Sequence, residues 1–242
     1  MSDKSVNGQV ALVIGAGSGL GKSLVKCFAG AGMKVGMTAR NQEKLNSLCR
    51  ELCYTEDQVR AYACDATDEN GIKKLFTRIR HDYGIPDVVV YNAGSFQPAG
   101  IVDIKTEDFE NCWRVGCLGG FLSGREAAGL MLERGYGTII FTGATASLRG
   151  SAGFANLAVG KFGLRALSQS MARELGPRNI HVAHVIIDGQ VMSERYAHLA
   201  QDRPADGLLD PDEIALNYLH LHTQHRSAWT QELELRPWVE KF

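Results

Sequence analysis

Val10-Ala11-Leu12-Val13-Ile14-Gly15-Ala16-Gly17-Ser18-Gly19-Leu20-Gly21 is the stretch on which the reading of the whole chain turns. It starts as a short apolar run, the mark of a buried strand. It ends in four glycines, and a helical pattern follows at once through Leu20, Leu24, Val25, Phe28 and Ala29. A strand, a glycine turn and a helix make up the context in which a glycine pattern becomes a nucleotide site. Glycines let the backbone turn tightly and approach a pyrophosphate, whose charge the free amides and dipole of the helix N-terminus then hold. A glycine-rich turn with no ligand is the plainer reading of the same residues.

Working outward, apolar runs and amphipathic segments alternate along nearly the whole chain. Strands are predicted at Lys34 to Ala39, Val59 to Ala63, Asp87 to Tyr91, Gly137 to Thr142, His181 to Ile187 and Glu232 to Leu235. Helices are predicted up to about Leu52, from a Thr67 or Asp68 cap to Tyr83, from Thr106 to Arg134, from Gly153 to Leu175 and from Pro211 to His222. This alternation implies an α/β fold: one Rossmann-like doubly wound sheet of about seven mostly parallel strands, helices on both faces, order 3-2-1-4-5-6 with a seventh strand at one edge. No linker, repeat or low-complexity tract divides residues 1–242, so a single domain is expected, with a polar substrate-lid segment at about 190–210.

Composition narrows the function. The chain is 45% hydrophobic and 22% charged with a formal net charge of -1, which argues against nucleic acid or an anionic membrane as its partner. No run is long and apolar enough to span a bilayer. The six cysteines (Cys27, Cys49, Cys53, Cys64, Cys112, Cys117) form no metal-ligand spacing. No metal site is expected, and a reducing, cytoplasmic setting is.

The spacing of Gly15, Gly19 and Gly21 resembles the fingerprint of the short-chain dehydrogenase/reductase family, with Ile14 where that family usually has threonine. Three further segments carry the resemblance. Asp65, followed by Ala66, stands where the family's adenine-contacting aspartate does. Tyr91-Asn92-Ala93-Gly94 is similar to Asn-Asn-Ala-Gly, and Asp188-Gly189 to Pro-Gly. The resemblance implies a dinucleotide site made of Gly15, Gly17, Ser18, Gly19, Leu20, Gly21, Arg40, Asp65, Ala66, Asn92, Ala93, Gly94, Lys161 and Gly189. At the end of the second strand a carboxylate would select NAD(H), whereas Ala39 and Arg40 stand there. NADP(H) is therefore expected over NAD(H), unless Arg40 is only a solvated residue at a strand end.

The family's proton-handling positions read differently. Its lysine maps to Lys161. Its tyrosine, four residues earlier, maps to Leu157, its serine pair to Gly143 and Ala144, and its helix asparagine to Gly116. Thr145 is the first candidate to stand in beside Lys161. Thr142, Ser147, Ser151, Asn156 and Tyr196 are further polar groups in reach by sequence. None of the seven histidines falls on a motif, and His220, His222 and His225 are expected to face solvent or complement a helix dipole. Two functions follow: an oxidoreductase moving hydride to or from a carbonyl or alcohol substrate with altered catalysis, or an inactive NADP(H)-binding protein serving as sensor, scaffold or partner subunit. Small residues along the two long helices (Gly116, Gly119, Gly120, Ala127, Ala128) suggest a homodimer or homotetramer, or else internal packing. The small-molecule substrate is not named by the sequence.

Overall fold

A computed structural model describes residues 5–240. Seven strands form one parallel sheet in the order β3-β2-β1-β4-β5-β6-β7. They are β1 (Val10–Ile14), β2 (Lys34–Ala39), β3 (Val59–Ala63), β4 (Val88–Tyr91), β5 (Gly137–Thr142), β6 (Ile180–Ile187) and β7 (Glu232–Leu235). The central strands are buried on both faces, so they read as continuous apolar runs. Period-2 alternation sends Ala11 and Val13 to one core and Leu12 and Ile14 to the other.

The first core lies under α1 (Leu20–Gly30), α2 (Gln42–Leu52) and α7 (Pro211–Thr223), through Leu24, Phe28, Leu45 and Tyr218. The second lies under α3 (Glu69–Asp82), α5 (Gly119–Arg134) and α6 (Ala155–Leu175), through Ile72, Phe76, Met131 and Leu164. Polar caps set the helix starts. The Asn41 side chain accepts from Lys44 N at 2.9 Å, and Asp68 from Asn70 N at 3.0 Å.

The long helix expected from Thr106 to Arg134 is not regular throughout. It comprises α4 (Thr106–Trp113), a π-helical turn at Arg114–Leu118, and α5. Gly119 N–H reaches back five residues to Arg114 O, and the Tyr91 hydroxyl donates to Val115 O at 2.5 Å. The glycines here have an internal cause. A Cβ on Gly116 would stand 3.2 Å from Gly160 Cα, one on Gly119 would strike the Tyr91 hydroxyl, and one on Gly120 the Leu164 methyl. Ala127 and Ala128 are buried in the second core. These small residues therefore serve contacts within the chain. The outward apolar residues of the long helices are Trp113, Phe121, Val159 and Phe162.

One boundary differs from the expectation. The last long helix begins at Ala155 rather than Gly153, whose φ of +77° suits a turn. His222 is half-buried in the last turn of α7: its ring bonds Thr138 Oγ1 at 3.0 Å and Gln9 Oε1 at 2.7 Å, tying α7 to the amino end of the sheet, a place that still suits a helix dipole. Among the described residues, no helix is long and apolar enough to cross a membrane, no group of side chains could hold a metal ion, and all six cysteines are free.

Candidate active site at the carboxyl edge of the sheet

A cleft of about 280 Å³ opens where β1, β2, β3 and β4 end. Eight of the predicted cofactor residues line it together: Gly15, Gly17, Arg40, Asp65, Ala66, Asn92, Ala93 and Gly94. Thr38, Cys64, Thr67 and Val115 line it as well and were not singled out from sequence. Thr38 is the clearest omission, because it is the one polar side chain near the end of an otherwise apolar strand.

The glycines of the turn divide into two kinds. Gly15 has φ +97°, and a Cβ there would sit 2.5 Å from Ala93 N. A Cβ on Gly21 would sit 2.5 Å from Gly15 O. Both are glycine because the turn packs on itself. A Cβ on Gly17 or Gly19 would instead enter open space, so no neighbour within the chain requires glycine there. A ligand passing over the turn would. Ser18 is exposed on this turn, and Leu20 and Gly21 open α1, which carries no side-chain cap and no carboxylate in its first turn. Such a helix start suits an anion.

Around the turn the cleft is braced. Gly15 N and Ala16 N both donate to Thr38 O at 2.9 Å, and Asn92 Nδ2 donates to Gly15 O at 3.0 Å. Asp65 Oδ1 accepts from Thr67 N and Thr67 Oγ1 at 2.8 and 2.9 Å. The Thr38 hydroxyl is buried with no hydrogen-bond partner among the described residues. Arg40 is exposed, and no carboxylate among the described residues pairs with it. Open glycines, an uncapped helix start, an unpartnered hydroxyl and an unpaired guanidinium are together a donor set that fits a phosphorylated dinucleotide.

Further along the edge lies the predicted reaction site. Lys161 comes from α6, is 6% exposed, and donates from Nζ to Thr142 O at 2.7 Å. Burial pushes its ammonium down to about 8. Nζ lies 4.0 Å from where a Gly94 Cβ would stand, which brings Lys161 to the border of the cleft without lining it.

Each departure from the family pattern has a local counterpart. Leu157 is half-buried, one helical turn after Phe154, whose ring stacks on Phe96 at 4.6 Å. A side chain on Gly143 would run into the His184 ring. That imidazole is fully buried on β6, and burial holds it down to about 4. Ala144 N donates to Ser147 Oγ at 3.2 Å. The Cβ of an asparagine at Gly116 would stand 3.2 Å from Gly160 Cα, so the two helices would have to move apart by a few tenths of an ångström to admit it.

Thr145, half-buried, donates to Asp188 Oδ1 at 2.5 Å, and Asp188 Oδ2 lies 3.0 Å from Arg236 Nη2. The aspartate in the proline position is therefore the anchor of Thr145, a link no sequence spacing predicts. Gly189 stands apart from the cleft, packed under Pro237. The lid segment is tied at its base, Met192 N to Leu209 O at 2.8 Å and Leu209 N to Gln190 O at 3.0 Å, with Tyr196 on the 3-10 segment Glu194–Asp202 above it.

The short chain dehydrogenase family model matches residues 9–203. The chain belongs to the short-chain dehydrogenase/reductase family. It is 29% identical over 236 residues to the 3-oxoacyl-(acyl-carrier-protein) reductase FabG of Thermotoga maritima, covering 94% of this chain and 96% of that protein. It is 29% identical over 214 residues to sorbitol-6-phosphate 2-dehydrogenase of Escherichia coli, covering 87% and 83%. Among solved structures, a short-chain dehydrogenase from Rhodopseudomonas palustris superposes with a TM-score of 0.82 at 40% identity, covering 96% of this chain and 100% of that one. A metagenomic short-chain oxidoreductase in complex with NADP gives 0.83 at 28%, covering 98% and 100%.

Proposed function

We propose that this protein is an NADP(H)-dependent oxidoreductase that interconverts an alcohol and a carbonyl compound. The observation that carries the proposal is the cleft: its turn leaves open space above Gly17 and Gly19, while the unpaired guanidinium of Arg40 stands at its rim. The glycine turn and the start of α1 would hold the pyrophosphate, Arg40 the 2′-phosphate, and Asp65 and Asn92 would shape the walls. The similar NADP complex supports this preference. When bound, the nicotinamide supplies hydride chemistry, and the protein's task is to orient the substrate and handle its proton. Lys161 brings a buried, readily titrated ammonium to that border, and Thr145 a hydroxyl. Leu157 at the tyrosine position, and Phe154 one turn before it, stacked on Phe96, would favour a substrate that is apolar beside its reacting oxygen.

The test is turnover in both directions across a panel of secondary alcohols, aldehydes and ketones with NADP(H). We expect activity that Lys161→Ala lowers by about 10²-fold or more, the usual scale of acid–base help. A protein that binds NADPH but is inert throughout would favour the second reading, an inactive sensor or scaffold. What favours that reading is the absence of a proton-transferring side chain at Leu157, Ala144 and Gly116. Restoration separates a decayed reductase from a repurposed site: Leu157→Tyr with Ala144→Ser raises carbonyl reduction in the first case and abolishes existing activity in the second.

The same proposal includes a cytoplasmic setting, suited to six free thiols, and a homodimer or homotetramer built on the long helices. The support for assembly is the exposed row Trp113, Phe121, Val159 and Phe162.

A further inference from the structure

We infer that Thr145 and Asp188 together form the base of this site, so that the substrate is engaged as an alcohol and gives its hydroxyl proton to Thr145. The inference rests on the oxidoreductase reading and deepens it. A threonine hydroxyl has one proton and two lone pairs. Here the proton is already committed, because Thr145 donates it to Asp188 Oδ1 at 2.5 Å. Charge-assisted O–H···O⁻ bonds are this short and are among the stronger ones. Thr145 remains half-buried, so its oxygen can still accept a hydrogen bond but has no proton to offer. A carbonyl oxygen needs a donor and finds none at Thr145. A hydroxyl brings its own.

Asp188 suits the receiving end. It is 2% exposed and closes β6 directly beside the β5 end, where Thr142 pairs with Val185. The charged groups that face it are Arg236 from the C-terminal segment, at 3.0 Å from Oδ2, and Glu234, which shares that guanidinium. Nearby on α6, Lys161 is held on the Thr142 carbonyl. Arg236 leaves Oδ1 free to take a proton while its partner oxygen stays paired. Ala144 and Leu157 offer no competing hydroxyl.

The substrate O–H bond breaks, and its proton passes to Thr145 Oγ as the proton of Thr145 passes to Asp188 Oδ1. The C–H bond of the carbinol carbon breaks, and its electron pair leaves as the hydride that the oxidised nicotinamide, when bound, would accept. The C–O single bond becomes the carbonyl. Asp188 finishes protonated. Thr145 touches the substrate; Asp188 acts through it and positions it.

The experiment uses the full chain saturated with NADP+. The probes are secondary alcohols with an apolar or aryl substituent, 1-phenylethanol first, and their ketones. We expect Thr145→Val and Asp188→Asn each to lower kcat for alcohol oxidation by about 10²-fold. The NADP+ dissociation constant measured by calorimetry should stay within about twofold, because the lost group acts on the substrate's proton and not on the cofactor. A readout independent of turnover is the infrared difference spectrum on mixing the wild-type NADP+ complex with alcohol: a protonated-carboxyl band appears, and Asp188→Asn lacks it. Should Asp188→Asn fail to fold, the near-isosteric Thr145→Val and the wild-type spectrum still decide. Oxidation that survives Thr145→Val, or a wild-type spectrum with no carboxyl band during oxidation, overturns this inference and leaves the oxidoreductase reading standing. Wild type inert with every alcohol and ketone overturns both.

Discussion

At the scale of single residues, the two kinds of glycine in the 15–21 turn make opposite predictions. Gly21→Ala forces a methyl onto the Gly15 carbonyl and should cost about 1–3 kcal/mol of stability, the usual price of overpacking, measurable as a lower urea midpoint. Gly17→Ala meets nothing in the protein, so it should leave the urea midpoint in place while weakening NADPH binding. Lys161 makes a pH prediction. Burial holds its ammonium down to about 8 from 10.5, so between those values the unfolded chain binds a proton that the folded chain does not. Stability therefore rises with pH across that window, and below about 8 the buried charge costs the fold about 3 kcal/mol. Lys161→Met should stabilise the cofactor-free protein at pH 7 and flatten that rise; urea titrations at pH 7 and 9.5 check both. His184 acts at the acid end. Its imidazole, held down to about 4 by burial, stays neutral in the fold while the unfolded chain protonates near 6.5, so stability falls as pH drops from about 6.5 towards 4. The residues lining the cleft were largely legible in the sequence, because each sits next to a strand end. The Thr145–Asp188–Arg236 chain was not: Thr145 and Asp188 are 43 residues apart, and only the β5–β6 register brings them together.

At the scale of elements, the π-helical turn between α4 and α5 ties helix geometry to the site. Such a turn leaves carbonyls without their usual partners, and Tyr91 answers one of them through its hydroxyl on Val115 O. Tyr91→Phe keeps the packing and removes that bond, leaving a buried carbonyl unsatisfied. It should cost about 1–3 kcal/mol, and amide exchange should quicken first at Arg114–Leu118. In the sequence Tyr91 reads only as a departure from an asparagine, and Gly116, Gly119 and Gly120 read as small residues for close packing, between subunits or within the chain, with no partner named. Their meaning is pairwise. Gly116 is opposite Gly160, and Gly119 and Gly120 lie against Tyr91. No local pattern encodes a contact between elements so far apart in the chain. Strand positions, by contrast, were readable nearly to the residue, because each buried strand is a continuous apolar run between turns or polar caps.

At the scale of the whole molecule, alternating strands and helices left few arrangements open. Right-handed crossovers then give one twisted sheet whose carboxyl edge collects the glycine turn, Asp65, Asn92, Lys161 and Thr145. That convergence is legible in the sequence, since the motifs fall at predicted strand ends. The outer surface was not visible, because an apolar residue on a helix reads the same whether it meets the core, a partner or water. If the exposed row on the long helices is an assembly face, light scattering should give a multiple of 26.4 kDa, and Phe121→Glu with Phe162→Glu should reduce it to the monomer. The most direct test of the central claim, that the carboxyl edge is an NADP(H) site read by Arg40, is calorimetric titration of the protein with NADPH and separately with NADH. NADPH should bind tighter by about tenfold or more, a difference of about 1.4 kcal/mol, which Arg40→Ala erases. Equal or stronger NADH binding would contradict the assignment of Arg40, and binding of neither would contradict the site itself.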